Sequence, residues 1–234
     1  MPVQNMDQQE IEKFNSIADK WWDMDGEFAP LHLMNPYRVD YIEQHCEGLY
    51  HKKVLDIGCG GGILSEALAR RQAMVTGIDL APDSLQVARK HSEQNQLFID
   101  YQNISAETFA EQQAGQYDVV CCLEMLEHVP DPASIIQAAC RLLKPGGFLF
   151  ASTLNRTHKS YVLAILAAEH LLKIVPTGTH DWQKFIRPSE LVNMIEQQNT
   201  RVKNIRGIHY DPLFKSFKFN QDPSVNYILC AQKN

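Results

Sequence analysis

Glu124, Glu127 and His128 stand together in the segment EMLEHVPDP, just after an apolar run from Tyr117 to Leu123. Two carboxylates and an imidazole so close in the chain suit two kinds of chemistry. His128, with Glu127 beside it, is a candidate general base, because an imidazole changes charge near neutral pH. Glu124, Glu127 and His128 together are equally a candidate ligand set for a divalent cation such as magnesium, acting as a Lewis acid. A third reading uses no chemistry. Glu127 would then favour a helix N-terminus and His128 would be a packed polar side chain.

A second cluster lies upstream. VLDIGCGGGILSEALA begins at Val54 and places Gly58, Gly60, Gly61 and Gly62 between an apolar strand and a helix. Residues without Cβ allow a tight turn and close approach of a ligand to the backbone. Amides at the start of the next helix can face an anion or a carboxylate. Asp79 follows 21 residues after Gly58, at the end of a second apolar run. An acid at that spacing typically accepts hydrogen bonds from the two ribose hydroxyls of an adenosine. Position six of a GxGxxG fingerprint is Ile63 and no GK[ST] occurs, so neither a nicotinamide site nor a P-loop is indicated.

These residues need elements to hold them. Strand signals (54–58, 74–79, 99–103, 117–123, 148–153) alternate with helix signals that start at Ile63, Pro82, after Ser105 and at Pro132, the last capped by Asp131. The alternation predicts an α/β, Rossmann-like, mostly parallel sheet of seven strands with helices on both faces. Ligands of such sheets bind beyond the carboxyl ends of the strands, where both clusters fall. One domain over 1–234 is expected: helical cover over 1–45, cofactor-binding core over 46–153, an insertion after strand 5 over 154–187, and a final helix with two strands over 188–234. Length 234 and 44% hydrophobic residues suit that organisation. A net charge of −6 argues against nucleic acid as a partner. Six cysteines without a CxxC pair read as reduced thiols of a cytosolic protein. The polar, acidic N-terminus is no signal peptide, and no apolar run reaches the roughly 20 residues that span a bilayer.

Three blocks, VLDIGCGGG, QYDVVCCLEMLEHV and LLKPGGFLFAST, resemble the class I S-adenosylmethionine-dependent methyltransferases in order and spacing. The segments FNSIADKWWDMDGEFAPLHLMNPYRVDYI, STLNRTHKSY, PTGTHDWQKFIRPSEL and GIHYDPLFKSFKF further resemble the ubiquinone biosynthesis O-methyltransferases over nearly the whole chain. The resemblance implies S-adenosylmethionine as cofactor. Arg38, Asp56, Gly58, Gly60, Asp79, Leu80 and Leu123 would contact it. Methyl would pass to a phenolic oxygen of a polyprenyl catechol and of demethylubiquinol. A soluble catechol-like acceptor is the alternative, and a non-catalytic scaffold is a more distant one. Some relatives with E-x-x-E-H are thought to use magnesium, which favours the cation reading of Glu124, Glu127 and His128. His180, Asp181, His209 and Tyr210 are further candidates for the substrate side. The insertion SYVLAILAAEHLLKIVP, with Arg156, His158, Lys159, Lys184 and Arg187 around it, reads as a lid helix, an interfacial helix meeting anionic lipid, or both. The expected setting is cytoplasmic and peripheral at the inner face of a membrane, with a ubiquinone biosynthetic assembly as a further partner.

Overall fold

A computed structural model of the chain describes residues 5–161, 181–211, 214 and 216–234. All seven predicted strands form, as β1 (Lys53–Ile57), β2 (Met74–Asp79), β3 (Ile99–Asn103), β4 (Tyr117–Leu123), β5 (Leu143–Leu154), β6 (Thr200–Asp211) and β8 (Asn226–Lys233). An eighth, β7 (Ser216–Asn220), joins at the edge, and the order is β3-β2-β1-β4-β5-β8-β6-β7. β1 to β5 pair in parallel; β8, β6 and β7 pair antiparallel. The chain order reverses at β1, which is flanked by β2 on one side and β4 on the other.

The helices are α1 (Gln8–Ser16), α2 (Ala29–His45), α3 (Ile63–Arg70), α4 (Pro82–Gln94), α5 (Ala106–Gln112), α6 (Pro132–Leu142), the single turn α7 (His158–Ser160) and α8 (Pro188–Glu196). Their starts follow local chemistry. Asp131 accepts from the amides of Ala133 and Ser134, and Ser105 accepts from that of Thr108, satisfying donors that a helix cannot pair internally. Pro132 and Pro82 occupy first-turn positions, where the missing N–H costs nothing. The Lys144-Pro145-Gly146-Gly147 turn lies within β5: its ladder to β4 skips from Tyr117↔Leu143 to Val119↔Phe148, so these four residues loop out.

Strand alternation sorts the apolar side chains into two layers. Leu55, Val120, Cys122, Leu149 and Leu229 face one layer with Phe109 of α5, Ile136 of α6 and Leu191 of α8. Val54, Val119, Cys121, Phe150 and Cys230 face the other with Ile42 of α2 and Leu68 of α3. Both faces are covered, so the central strands read as continuous apolar runs. All six cysteines are buried free thiols. Among the described residues no helix is long and apolar enough to cross a membrane. Most of the apolar insertion and His180 lie outside the described residues.

Residues beyond the insertion are tied back to the sheet by Tyr227. It is fully buried in β8, and its hydroxyl donates to the carbonyl of Ile186 at 2.9 Å. Tyr227→Phe leaves that buried carbonyl unpaired and is expected to cost about 1–2 kcal/mol in denaturant unfolding, with an unchanged m-value.

Candidate active site

At the carboxyl edge of the sheet, the turns after β1 and β4 face each other across the reversal point, where ligands of such folds bind. A cavity of about 810 Å³ opens there. Its walls include Gly58 and Gly60 from the turn after β1, Asp79 and Leu80 after β2, and Glu124, Glu127 and His128 after β4. His209 and Tyr210 of β6 also line it. The two sequence clusters therefore share one hollow.

Asp79 holds the turn. One carboxylate oxygen accepts from the amide of Gly60 at 2.8 Å, and the other from that of Ala81 at 2.8 Å. Burial raises its pKa above the usual carboxylate range, against the pull of those backbone donors. A carboxylate has about four acceptor sites, so capacity remains for a further donor. The turn itself needs glycine. Gly58, Gly60 and Gly62 have φ of 72°, 50° and 86°, the left-handed region that side chains resist. A Cβ on Gly61 would lie 2.2 Å from the Trp21 ring, and one on Gly60 would lie 2.4 Å from it. The indole of Trp21 therefore packs on the glycine floor. It stacks on Phe28 at 3.8 Å and donates to Ser84 Oγ at 3.0 Å. Sequence reasoning missed this role; the aromatic pair in WWDMDGEF was its signal.

Asp56, Arg38 and Leu123 stand behind the cavity, outside its lining. Asp56 is buried and accepts from Ser65 Oγ at 2.6 Å. Burial lifts its pKa to about 6. Arg38 is buried in α2, donates to Asn35 Oδ1 at 3.0 Å and leaves its Nε without a partner. Burial lowers its pKa, while Glu124 and Asp56 nearby favour its charged form. Asp40, two residues on, pairs with Arg71. Leu123 packs into the core layer of α2 and α3.

Glu124 has a left-handed φ of 52°, uncommon outside glycine. That backbone turns it towards β5. Ser152 Oγ donates to Glu124 Oε1 at 2.6 Å, and the Glu124 amide donates to the Ser152 carbonyl at 3.1 Å. Glu127 Oε2 accepts from Thr153 Oγ1 at 2.8 Å. His128 Nδ1 meets Glu10 Oε2 of α1 at 2.9 Å. Three candidate cation ligands are thus turned to three different partners. Among the described residues, no group of three or more His, Cys, Asp or Glu side chains is placed to hold a metal ion. The donor arrangement does not fit the magnesium ion that the E-x-x-E-H pattern implied. Asp181 also departs from its expected place, capping the turn Trp182–Lys184 by accepting from the Gln183 amide.

Burial, reinforced by the neighbouring charge of Glu127, pushes the Glu124 pKa up to about 7. A carboxyl whose folded pKa exceeds its ordinary 4.5 favours the folded state when protonated. Its contribution is full below about pH 4.5 and is lost as pH rises through about 7. Glu124→Gln is therefore expected to narrow the fall in melting temperature between roughly pH 5 and pH 8. An unchanged gap in calorimetry would contradict this assignment of charge.

A model of the methyltransferase domain matches residues 38–204. The ubiquinone biosynthesis O-methyltransferase of Erwinia tasmaniensis is 53% identical over 230 residues, covering 98% of this chain and 95% of that protein. Its namesake in Actinobacillus pleuropneumoniae serotype 5b is 53% identical, over 97% of this chain and 98% of that one. The Escherichia coli O9:H4 protein of the same name is 50% identical, over 97% and 95%. Among solved structures, the magnesium protoporphyrin IX methyltransferase of Synechocystis PCC 6803 with bound SAH superposes with a TM-score of 0.71. It is 18% identical, over 97% of this chain and 100% of that one, a likeness of fold alone. With a full-length match above half identity and a glycine-and-aspartate hollow at the sheet's reversal point, the chain belongs to the ubiquinone biosynthesis O-methyltransferases, S-adenosylmethionine-dependent enzymes.

Proposed function

We propose that the 810 Å³ cavity holds the methyl donor and a prenylated phenol together, and that His128 takes the phenolic proton. The shared hollow carries this reading, because Asp79 and His128 reach it from separate strands. Asp79 offers its remaining lone pairs to the ribose diol of S-adenosylmethionine, Gly58 and Gly60 line the cavity beside it, and Leu80 flanks the adenine. Arg38 and Asp56 support the methionine end from behind the turn. When bound, the sulfonium supplies an electrophilic methyl group.

The acceptors in this reading are a polyprenyl catechol and demethylubiquinol. A phenol with a pKa near 10 must lose its proton as it attacks. An ionised Glu10 carboxylate can only accept, so the His128 Nδ1 carries the hydrogen and Nε2 keeps the lone pair that receives the phenolic proton. Phe28, Leu31, Ile208 and Phe217 give the cavity apolar walls, which suit a ring with an isoprenoid tail and exclude water. Glu124 and Glu127 are fixed by Ser152 and Thr153 and shape the charge around the acceptor.

Purified protein, S-adenosylmethionine and a catechol with a short prenyl tail are expected to yield S-adenosylhomocysteine and the methyl ether. Asp79→Ala is expected to weaken donor binding by roughly tenfold or more in calorimetry. His128→Ala is expected to lower kcat by about 10²–10⁴-fold at saturating donor. Wild-type turnover in that variant would remove the base.

The apolar insertion with its basic flanks supports contact with an anionic membrane surface, where a prenylated acceptor resides. Several of those flanking charges already have partners: Arg156 pairs with Glu190, Lys159 with Asp222 and Lys184 with Asp7. The apolar stretch therefore carries this part of the reading. Deleting residues 161–175 is expected to abolish cosedimentation with anionic vesicles while the protein stays folded. Unchanged cosedimentation would place the lipid contact elsewhere. A ubiquinone biosynthetic assembly is a further partner in this reading, supported by family membership.

A further inference from the structure

α1 contributes no buried residue, yet it lies along the cavity, with Glu10, Lys13 and Phe14 in the lining. Polar contacts fasten it. Asn5 donates to Glu107 at 2.9 Å and to the Asp131 carbonyl at 2.8 Å, and accepts from the Asp131 amide at 2.8 Å. Asp7 pairs with Lys184 at 3.2 Å. At its centre, Glu10 Oε2 lies 2.9 Å from His128 Nδ1, and the ring of Phe14 stands edge-on to the imidazole at 5.2 Å and 83°. Two residues of α1 thus enclose, from two sides, an imidazole 118 positions from Glu10 along the chain. His128 sits at the end of a one-turn 3-10 helix, Leu126–His128, too short to fix a ring by itself.

We infer that Glu10 is the positioning residue for His128: it holds the ring by Nδ1, selects the tautomer with a free Nε2, and makes docking of α1 a condition for the base to act. This rests on the reading of His128 as base. A carboxylate behind an imidazole does two jobs, orienting the ring and stabilising the imidazolium formed when the proton arrives. Glu10 can do both from where it stands, with Oε2 2.9 Å from Nδ1. The other charged groups about the pair are Lys13 of α1, 3.7 Å from Glu10, Lys184, Asp79 after β2 and Glu124 after β4. Glu10 is the charged group that hydrogen-bonds the ring, so orientation falls to it.

A latch that only fastens α1 would also touch His128, and the test separates the two roles. Steady-state kinetics on the full chain compare Glu10→Leu, Glu10→Gln, His128→Ala, the double variant Glu10→Leu/His128→Ala, and Lys184→Met, which removes the Asp7 pair that fastens α1 and leaves the Glu10–His128 contact in place. The ring 15N shifts of His128 report its tautomer. The expected result is a kcat roughly tenfold or more lower for Glu10→Leu, with donor affinity nearly unchanged. Glu10→Gln, which keeps an acceptor oxygen, recovers part of the loss. Lys184→Met stays close to wild type. In the His128→Ala background the leucine substitution has no further effect on kcat, and the 15N shifts of Glu10→Leu move towards a mixture of tautomers.

Equal losses for Glu10→Leu with and without His128 would overturn the inference, as would a Lys184→Met loss matching that of Glu10→Leu, or unchanged ring shifts. Wild-type kcat in Glu10→Leu beside an inactive His128→Ala would overturn the positioning role alone. Wild-type kcat in His128→Ala would overturn the base, and the positioning role with it.

Discussion

Everything at the site depends on β1 being hydrogen-bonded in parallel on both sides, to β2 by Val54↔Val75 and to β4 by Val54↔Val119. Parallel neighbours bring their carboxyl ends to one edge, and the reversal of order at β1 keeps the crossovers from covering it. The turn after β1, the aspartate after β2 and the acidic turn after β4 then meet without any of them having to reach. Asp79 locks the arrangement by accepting the Gly60 amide, so the end of β2 holds the turn that leaves β1. The indole of Trp21 covers that turn from the N-terminal side.

The parts legible in the sequence were those written in local chemistry. Apolar runs marked the central strands because both faces of the sheet are buried. Asp131, Ser105 and Pro82 marked helix starts because a cap or a fixed φ acts within one turn. The strand Ser216–Asn220 was hidden because SFKFN is short and half polar, and pairs with β6 at the edge of the described sheet. The glycine turn was legible as a turn, but its contact with Trp21 was not, since an aromatic pair some forty residues earlier does not say which turn it will cover.

Contacts across long separations account for the rest. Ser152 and Thr153 appeared only as the end of an apolar strand, yet pairing of β4 with β5 sets them beside Glu124 and Glu127. E-x-x-E-H reads as a cluster because its members are near in the chain. With the left-handed backbone of Glu124 and the one-turn helix after it, each of the three side chains hydrogen-bonds a different partner. Arg38 was assigned to the cofactor by resemblance. The structure adds that it is the buried cation facing Asp56 and Glu124, so its charge bears on two carboxyls whose burial raises their pKa.

Cys59 sits inside the glycine turn, buried, with its pKa driven well above the usual thiol value by desolvation and by Asp79 and Asp56. A thiolate is the reactive form, so a neutral, sealed sulfur hardly meets an alkylating reagent in the native state. Trapping of this sulfur then waits on opening of the loop that carries it, and its speed becomes a clock for breathing of the donor pocket, legible by mass without a chromophore.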